Sequence, residues 1–411
     1  MFSTGTPVGN IQPYFLTQVV PEQDLDPAKQ LDQQPQLAAI TGQAQAVADV
    51  FAGFIGAAAV SLDIAIYDFR LLPGALTDTI AGAVRDAAGR GVAVRLAYDK
   101  TQETDDEATL KAFAGAGGDP APTGTHLFIA RAFGQPALGE PAALPSNLQV
   151  QPILEEGIDP GHPAGKSGHI MHQKYIVRDA GTSAAAVLTG SANYTTDAWG
   201  IQENNLLAIT EATDLAAAYE QDFTDLWSTK KLAGTGQHDL GQVTVGGIDI
   251  AYSFAPGEGA ATETAIAALV AGATRRIRVA SMVLSSPKIL RALVDQINAG
   301  RDVAGIYDGP EMAGVVEDWK KFASSAATLA LWQQVQPRLV AKKSVPFEAE
   351  TIHNFMHNKV VVADDTVSTG SFNLSKNATG NAENVLRISS AELARQYAAY
   401  VDDLVQQYGA T

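Results

Sequence analysis

Hydrophobic and polar positions along this chain fall into short, recurring blocks. Residues 38–59 predict a helix, and 60–67 (VSLDIAIY) follow as a strand buried on at least one face. Leu76 to Ala88 is amphipathic at the helical period and stops near Gly89 and Gly91. Val92 to Ala97 (VAVRLA) is the next strand, ending at Tyr98 and Asp99. Such strand–helix–strand units build α/β folds with parallel or mixed sheets covered by helices. Further strands are predicted at 170–177, 184–188 and 205–210, with a helix over 215–227. Residues 1–35 have no steady period and read as an irregular arm. Residues 100–168, dense in Gly and Pro, read as loops and short elements on the rim of a site.

The order then repeats. A helix is predicted over 262–271, a strand over 277–284, a helix over 287–298 and a strand near 303–307. After a less regular stretch come strands at 359–362, 366–369 and 385–388, and a last helix over 391–407. Three pairs of segments match in kind: GRGVAVRLAYD (89–99) with GRDVAGIYD (300–308), TGSANYT (189–195) with TGSFNLS (369–375), and QENNLLAI (202–209) with AENVLRI (382–388). Two copies of one unit indicate an internal duplication, with the break in the Gly-rich stretch between about Gly234 and Gly247.

Composition narrows the chemistry. With 46% apolar residues, 411 positions support sizeable cores. A net charge of −17 repels a polyanion at long range, although a local basic pocket remains compatible with it. There is no cysteine, which excludes disulfides, thiolate catalysis and cysteine-ligated zinc. The apolar run 48–66 is interrupted by Asp49, Gly53, Gly56 and Asp63 and reads as a helix entering a strand, so no transmembrane segment is expected. Residues 1–18 show no signal peptide, which leaves a cytoplasmic location or secretion with the signal already removed.

The strongest chemical signal is HQKYIVRD, with His172, Lys174 and Asp179, repeated as HNKVVVAD, with His357, Lys359 and Asp364. Residues two apart on a strand share a face, which places each imidazole beside its lysine. Ser191 with Asn193, and Ser371 with Asn373, fall at strand ends and offer donors to anionic oxygens. Glu203 and Glu383 precede apolar strands and are placed to hold an imidazole by its second nitrogen. His169 and His353 stand near the motif histidines, but neither completes a three-ligand metal set, and His126, His162 and His238 carry no assigned role. No G-x-S-x-G elbow and no complete phosphate-binding glycine loop occurs; AGKS at 164–167 is only a fragment of one. No metal or cofactor is expected.

The paired H-x-K-x4-D motifs resemble the phospholipase D superfamily, in its bacterial phospholipase-like and endonuclease-like branch. The likeness spans nearly the whole chain, including both G-S-x-N continuations. It implies two similar halves, each a mixed sheet flanked by helices, packed as a pseudo-dimer around one site. The halves would be 36–235 and 250–411, after an arm at 1–35 and around a linker at 236–249. It also implies metal-independent phosphodiester chemistry through a phosphohistidine, with His172 and His357 as nucleophile and general acid/base. The family order favours His172 as the nucleophile. Lys174 and Lys359 would grip the phosphate with Asn193, Asn373, Ser191 and Ser371, while Asp179 and Asp364 would support the architecture. Glu203 and Glu383 would orient the histidines.

For substrate, these readings favour a glycerophospholipid headgroup ester, with hydrolysis and transfer to an alcohol both open. A nuclease is the alternative, and a non-catalytic phosphate-binding or scaffold protein a further one. The basic and aromatic positions Trp319, Lys320, Lys321, Trp332, Arg338, Lys342 and Lys343 are the feature that points to nucleic acid. A single phosphate with apolar surroundings suits the acidic chain better, with transient contact to a membrane surface and a monomeric state.

Overall fold

Strands that read as unbroken apolar runs, such as KVVVA, must be covered on both faces, and that requirement organises the molecule. The computed structural model describes residues 1–100, 145–154, 168–237, 240–347 and 352–409. The first sheet comprises β1 (Ser3–Thr4), β2 (Ile11–Leu16), β3 (Ser61–Ile66), β5 (Ala93–Lys100), β6 (Leu148–Leu154), β7 (Lys174–Arg178), β8 (Ala186–Gly190) and β10 (Asn204–Ile209), in the order β1-β2-β10-β8-β7-β3-β5-β6. A small parallel pair, β4 (Phe69–Arg70) and β9 (Tyr194–Thr195), lies apart from it. The second sheet comprises β11 (Gly241–Val245), β12 (Ile248–Ala255), β13 (Arg276–Ser281), β14 (Asp302–Asp308), β15 (Leu339–Lys342), β16 (Lys359–Ala363), β17 (Thr366–Gly370) and β18 (Glu383–Ser389). Its order, β11-β12-β18-β17-β16-β13-β14-β15, repeats the first strand for strand. Both sheets are mixed: β3 runs parallel to β5 and antiparallel to β7, as β13 does to β14 and β16.

The helices that matter here are α1 (Leu37–Gly56), α2 (Ala75–Gly89), α3 (Thr196–Gly200), α4 (Thr213–Thr229), α5 (Gly259–Ala271), α6 (Pro287–Asn298), α7 (Gly309–Lys321), α8 (Ala326–Val335) and α9 (Ala391–Gly409). Tyr219, Phe223 and Leu226 of α4 and Leu393, Tyr397 and Val401 of α9 share one core with Tyr175 and Val177 of β7 and Val360 and Val362 of β16. Alternate residues point outward: Ile176 joins α1 and α2 in a second core, and Val361 joins α5, α6 and α8 in a third. The two halves are therefore layered helix–sheet–helix–sheet–helix and share their central layer. By length and composition α1 is apolar enough to cross a membrane, but its Val47, Phe51 and Ile55 are packed into the outer core of the first half.

Several expectations need correction. Residues 11–16, read as part of an irregular arm, form β2, which pairs with β10 along its full length. The supposed linker at 236–249 contains β11, the counterpart of β1, so both segments belong to the repeated unit. The less regular stretch before His357 holds α7, α8 and β15, and β6 lies inside the region read as loops. Most of that region, with His126, His162 and His238, falls outside the described residues.

Candidate active site

Each motif histidine stands just ahead of its strand, not on it. Lys174 opens β7 and Lys359 opens β16, and each ammonium bonds back to the carbonyl of its own histidine, at 2.7 and 2.5 Å. The approach is fixed by the ends of β5 and β14, where Asp99 accepts from the Met171 amide at 2.7 Å and Asp308 from the Met356 amide at 2.9 Å. The other half completes the hold. The His172 amide donates to the Ala382 carbonyl, at 2.9 Å, and the His357 amide to the Glu203 carbonyl, at 3.0 Å. Both histidines and both lysines are no more than 5% exposed. They act on one another electrostatically, so the duplicated motifs meet in one site.

The ring contacts differ between the halves. His172 Nδ1 meets the Glu383 carboxylate at 2.8 and 3.0 Å. His357 Nδ1 meets not Glu203 but the Asn204 amide oxygen, at 3.0 Å. The Glu203 carboxylate turns away into a fully buried cluster, paired with Lys342 and the Tyr408 hydroxyl and accepting from the Gln18 amide at 3.2 Å. Matching the E-N dipeptides of the two halves set the register off by one residue. Strand pairing gives the true equivalence: Leu206 lies opposite Gly190 and Val385 opposite Gly370, so Asn204 occupies the place of Glu383, and Glu203 that of Ala382.

The serines also differ from expectation. Ser191 Oγ donates to Asn204 at 2.8 Å and accepts from the Asn205 amide at 3.0 Å, while Ser371 Oγ accepts from the Asn384 amide at 3.0 Å. Both hydroxyls are fully buried and support the groups behind the histidines instead of facing a phosphate. The glycine before each serine permits this. A Cβ at Gly190 would lie 2.2 Å from the Asn205 carbonyl oxygen, and one at Gly370 equally close to that of Asn384. Asn193 and Asn373 each leave a buried amide oxygen without a partner, an acceptor open to a donor group, and only the amide nitrogen of each can donate to an anion. Tyr67, which the sequence did not single out, meets the His172 ring edge-on at 4.9 Å and lies beneath the Lys174 ammonium at 4.8 Å.

Asp179 and Asp364 stand at the far ends of β7 and β16, both with positive φ. Asp179 accepts from the amides of Ala59, Val60 and Ser61 at 3.0, 2.6 and 3.1 Å. Asp364 accepts from those of Thr274, Arg275 and Arg276 at 2.7, 2.9 and 3.0 Å, which holds its carboxyl down at about 2 against the opposing effect of desolvation. Each secures the start of the neighbouring central strand, away from the rings.

Burial dominates the electrostatics of the site. Desolvation, then Lys174 and Lys359, hold His172 well below the ordinary imidazole value, and His357 is lowered likewise. Desolvation brings Lys174 down to about 7 and, helped by Lys174, lowers Lys359 well below the usual range. It pushes Glu383 up to about 8 against the pull of Lys174. The cluster is short of negative charge, and an anion placed between the two ammoniums would relieve it.

The remaining candidates are not brought in. His353 pairs with Asp197 at 3.4 Å and stacks on Phe355, with ring centroids 5.2 Å apart. His169 packs against Gly380. Among the described residues no group of three or more His, Asp or Glu is placed to hold a metal ion. The basic and aromatic positions of 319–343 form no continuous track: Lys320 and Lys321 pair with Glu317 and Asp318, Trp332 is in the core, and Lys342 is wholly buried.

Two similar lobes, duplicated H-x-K segments and a shared buried site define an enzyme of the phosphodiesterase type. A family described as cardiolipin synthase, PLD-like domain, matches residues 52–227 and 266–405, and the chain belongs to that family, within the phospholipase D superfamily. Its fold is shared with phosphatidylserine synthase from Haemophilus influenzae Rd KW20 at a TM-score of 0.59 and 13% identity, over 96% of this chain and 88% of that one. A phospholipase D family member, Nuc, from Salmonella typhimurium aligns at 26% identity over 38% of this chain and 91% of its own, with a TM-score of 0.30. NucT from Helicobacter pylori aligns at 20% over 38% and 96%, with a TM-score of 0.31. No curated protein matches the chain in sequence.

Proposed function

We propose that this chain is a phospholipase D-type hydrolase that cleaves glycerophospholipid headgroup esters through a phosphohistidine, without a metal. The observation that carries this is the meeting of His172–Lys174 and His357–Lys359, from opposite halves, in one buried site whose two ammoniums suit one anion. The ammoniums of Lys174 and Lys359 and the side-chain amides of Asn193 and Asn373 take the phosphate oxygens and stabilise charge that grows during displacement. His172, with Nδ1 engaged by Glu383, attacks phosphorus through Nε2, and His357 delivers a proton to the departing oxygen. Water, activated by His357, then cleaves the nitrogen–phosphorus bond. An alcohol in place of water gives transfer. Asp179, Asp364, Ser191 and Ser371 act by supporting the frame.

Three features favour a lipid over a nucleic acid. The family description names a lipid-synthesising enzyme. The chain carries −17 and lacks, among the described residues of 319–343, a continuous basic track for several phosphates. Phe322 and Phe347 stand about 60% exposed, as suits transient contact with a membrane surface. The test is a side-by-side assay, with chelator, of headgroup release from mixed micelles and of DNA and RNA cleavage. Headgroup release is expected. Nucleic-acid cleavage without it replaces the lipid reading with a nuclease, and stoichiometric phosphate binding without turnover replaces both with a binding protein.

A further inference from the structure

We infer that Asn204 and Glu383 fix the division of labour between the two histidines, so that exchanging amide and carboxylate exchanges the roles. The inference rests on the phosphodiesterase reading above and deepens it, since the repeat alone gives two equivalent H-x-K pairs with nothing to tell them apart.

Asn204 is held so firmly that its orientation is settled. Its Nδ2 donates to the Ala198 carbonyl at 3.1 Å and to Gln202 at 3.3 Å, and its Oδ1 accepts the Ser191 hydroxyl at 2.8 Å. An oxygen therefore faces His357 Nδ1, so the neutral ring carries its proton there and leaves Nε2 for chemistry. Glu383 occupies the same place behind His172, held by Asn381 Nδ2 at 3.0 Å, and leaves that ring's Nε2 free as well. With Glu383 ionised, the two rings share a tautomer. They differ in what stands behind them, a carboxylate or an amide dipole. Glu203, next to Asn204 in sequence, does not restore the balance, because its charge is taken up by Lys342 and it bonds Tyr408.

The two roles place opposite demands on that position. The anionic diester brings one proton from solvent onto Nε2 of the second histidine; in the first step the Nε2 electron pair of the first histidine forms the bond to phosphorus, the phosphorus–oxygen bond to the leaving group breaks, and that oxygen takes this Nε2 proton. The attacking ring then holds a fixed positive charge for the life of the intermediate, in a dry site already containing two lysines. The Glu383 carboxyl at 2.8 Å, which burial alone pushes up to about 8, ionises against that charge and meets it, whereas an amide oxygen offers only a dipole. In the second step water's oxygen bonds phosphorus, its proton returns to the other histidine, and the nitrogen–phosphorus electron pair goes back to the first. The second ring thus alternates between charged and neutral, and a full carboxylate behind it would hold the proton in place. His172 meets the first demand and His357 the second. Asn204 and Glu383 act through the rings and are positioning residues.

The experiment uses the full chain with bis(4-nitrophenyl) phosphate, rapid quenching at alkaline pH and peptide mass spectrometry to locate the phosphoryl label. The changes are nearly isosteric: Asn204→Asp, Glu383→Gln and the two combined. Wild type is expected to carry the label on His172 alone, and Asn204→Asp on both histidines. Glu383→Gln should lose about a hundredfold in labelling rate, by analogy with the loss of carboxylate partners behind metal-bound histidines. The combined variant should recover at least part of that loss with the label moved to His357. Turnover with the label on His357 in wild type, on His172 alone in the combined variant, or on neither ring overturns the inference. Should the combined variant fail to fold, the wild-type and Asn204→Asp label positions decide the matter. Absence of both turnover and label with nitrophenyl, lipid and nucleic-acid diesters would instead sink the phosphodiesterase reading itself.

Discussion

The surroundings of His172 and His357 have one backbone and two chemistries. Behind His172 stand Glu383, Ala382 and Ile153; at the same three places behind His357 stand Asn204, Glu203 and Lys342, as the pairings of Asp99 with Ile153 and of Asp308 with Lys342 establish. In the first set a carboxyl group touches the ring and the next layer is apolar. In the second an amide touches the ring, and the charge has moved one residue along and been neutralised. The front of the site differs as well. Tyr67, beside His172, is replaced at the equivalent strand end by Met282, since these two amides donate to Gln173 and Asn358 in turn. Duplication preserved the hydrogen-bonded frame and left side-chain charge free to diverge. At about 4 Å one unit charge is worth roughly 4 kcal/mol with an effective dielectric near 20, enough to decide which ring holds a cation.

The largest expected effect comes from removing the rings themselves. His172→Ala and His357→Ala should each lower kcat for a lipid diester by about 10^4-fold or more, as losses of a nucleophile or its partner do. A nitrophenolate leaving group needs no proton, and that separates the two. With bis(4-nitrophenyl) phosphate, His357→Ala should release close to one nitrophenolate per site in a stopped-flow burst and then stall. His172→Ala should show no burst. Equal bursts from both folded variants, or undiminished turnover in either, would break the proposed difference.

How much of this could be read in advance depended on how local the signal was. The central strands were legible because both faces of β7 and β16 are buried, so YIV and VVV stand out whatever surrounds them. The penultimate strand β2 was not. Its IQPYFL contains Pro13, which reads as a breaker, yet the two-residue edge strand β1 is in register only with Tyr14 and Phe15, so Pro13 lies just past the end of that ladder. The histidines and lysines were legible through their repeated spacing, but the aim of neighbouring groups was not. Ser191 and Ser371 looked like phosphate donors, and the close approach of Gly190 and Gly370 to the next strand turns them inward. Asn204 went unnoticed because E-N occurs in both halves one residue out of step, and pairing across β8 and β10 is needed to correct the count. The anchors Asp99 and Asp308 were visible only as strand ends, since their partners lie 72 and 48 residues away.

The neutralised layer behind His357 gives the next effect in size. Lys342→Met leaves the Glu203 carboxylate, with no exposed surface, facing an apolar group, which should cost about 3–5 kcal/mol of stability. Combining Lys342→Ile with Glu203→Ala copies the arrangement behind His172 and should recover most of that loss. Roughly 1–2 kcal/mol should remain, because Tyr408 and the Gln18 amide lose their acceptor. Urea unfolding midpoints of the single and double variants measure this directly. If the double variant were no more stable than the single, the two layers would not be interchangeable and the comparison of the halves would fail at this point.

The smallest effect concerns the charge balance of the site. With Lys174 brought down to about 7 and Glu383 pushed up to about 8, raising the pH removes a positive charge at the first and adds a negative one at the second. Both changes oppose anion binding, so the signs reinforce. Below pH 7 Lys174 is charged and Glu383 neutral, and affinity is full. Above it affinity should fall, at up to about tenfold per pH unit for each group lost. Sulfate is the suitable probe, because its charge is constant over this range, and competitive inhibition of nitrophenyl diester turnover reads its affinity. The inhibition constant is expected to be flat from pH 6 to near 7 and to rise about tenfold by pH 8. A bound anion favours the charged lysine, so Lys174 in the complex titrates at higher pH than in the empty enzyme. In Glu383→Gln only the lysine contribution remains, and the rise between pH 8 and 9 should become shallower while that near 7 persists. An inhibition constant that stays level or falls from pH 6.5 to 8.5 would show that burial does not hold Lys174 near neutrality. The charge balance drawn for the His172 side of the site would then be wrong.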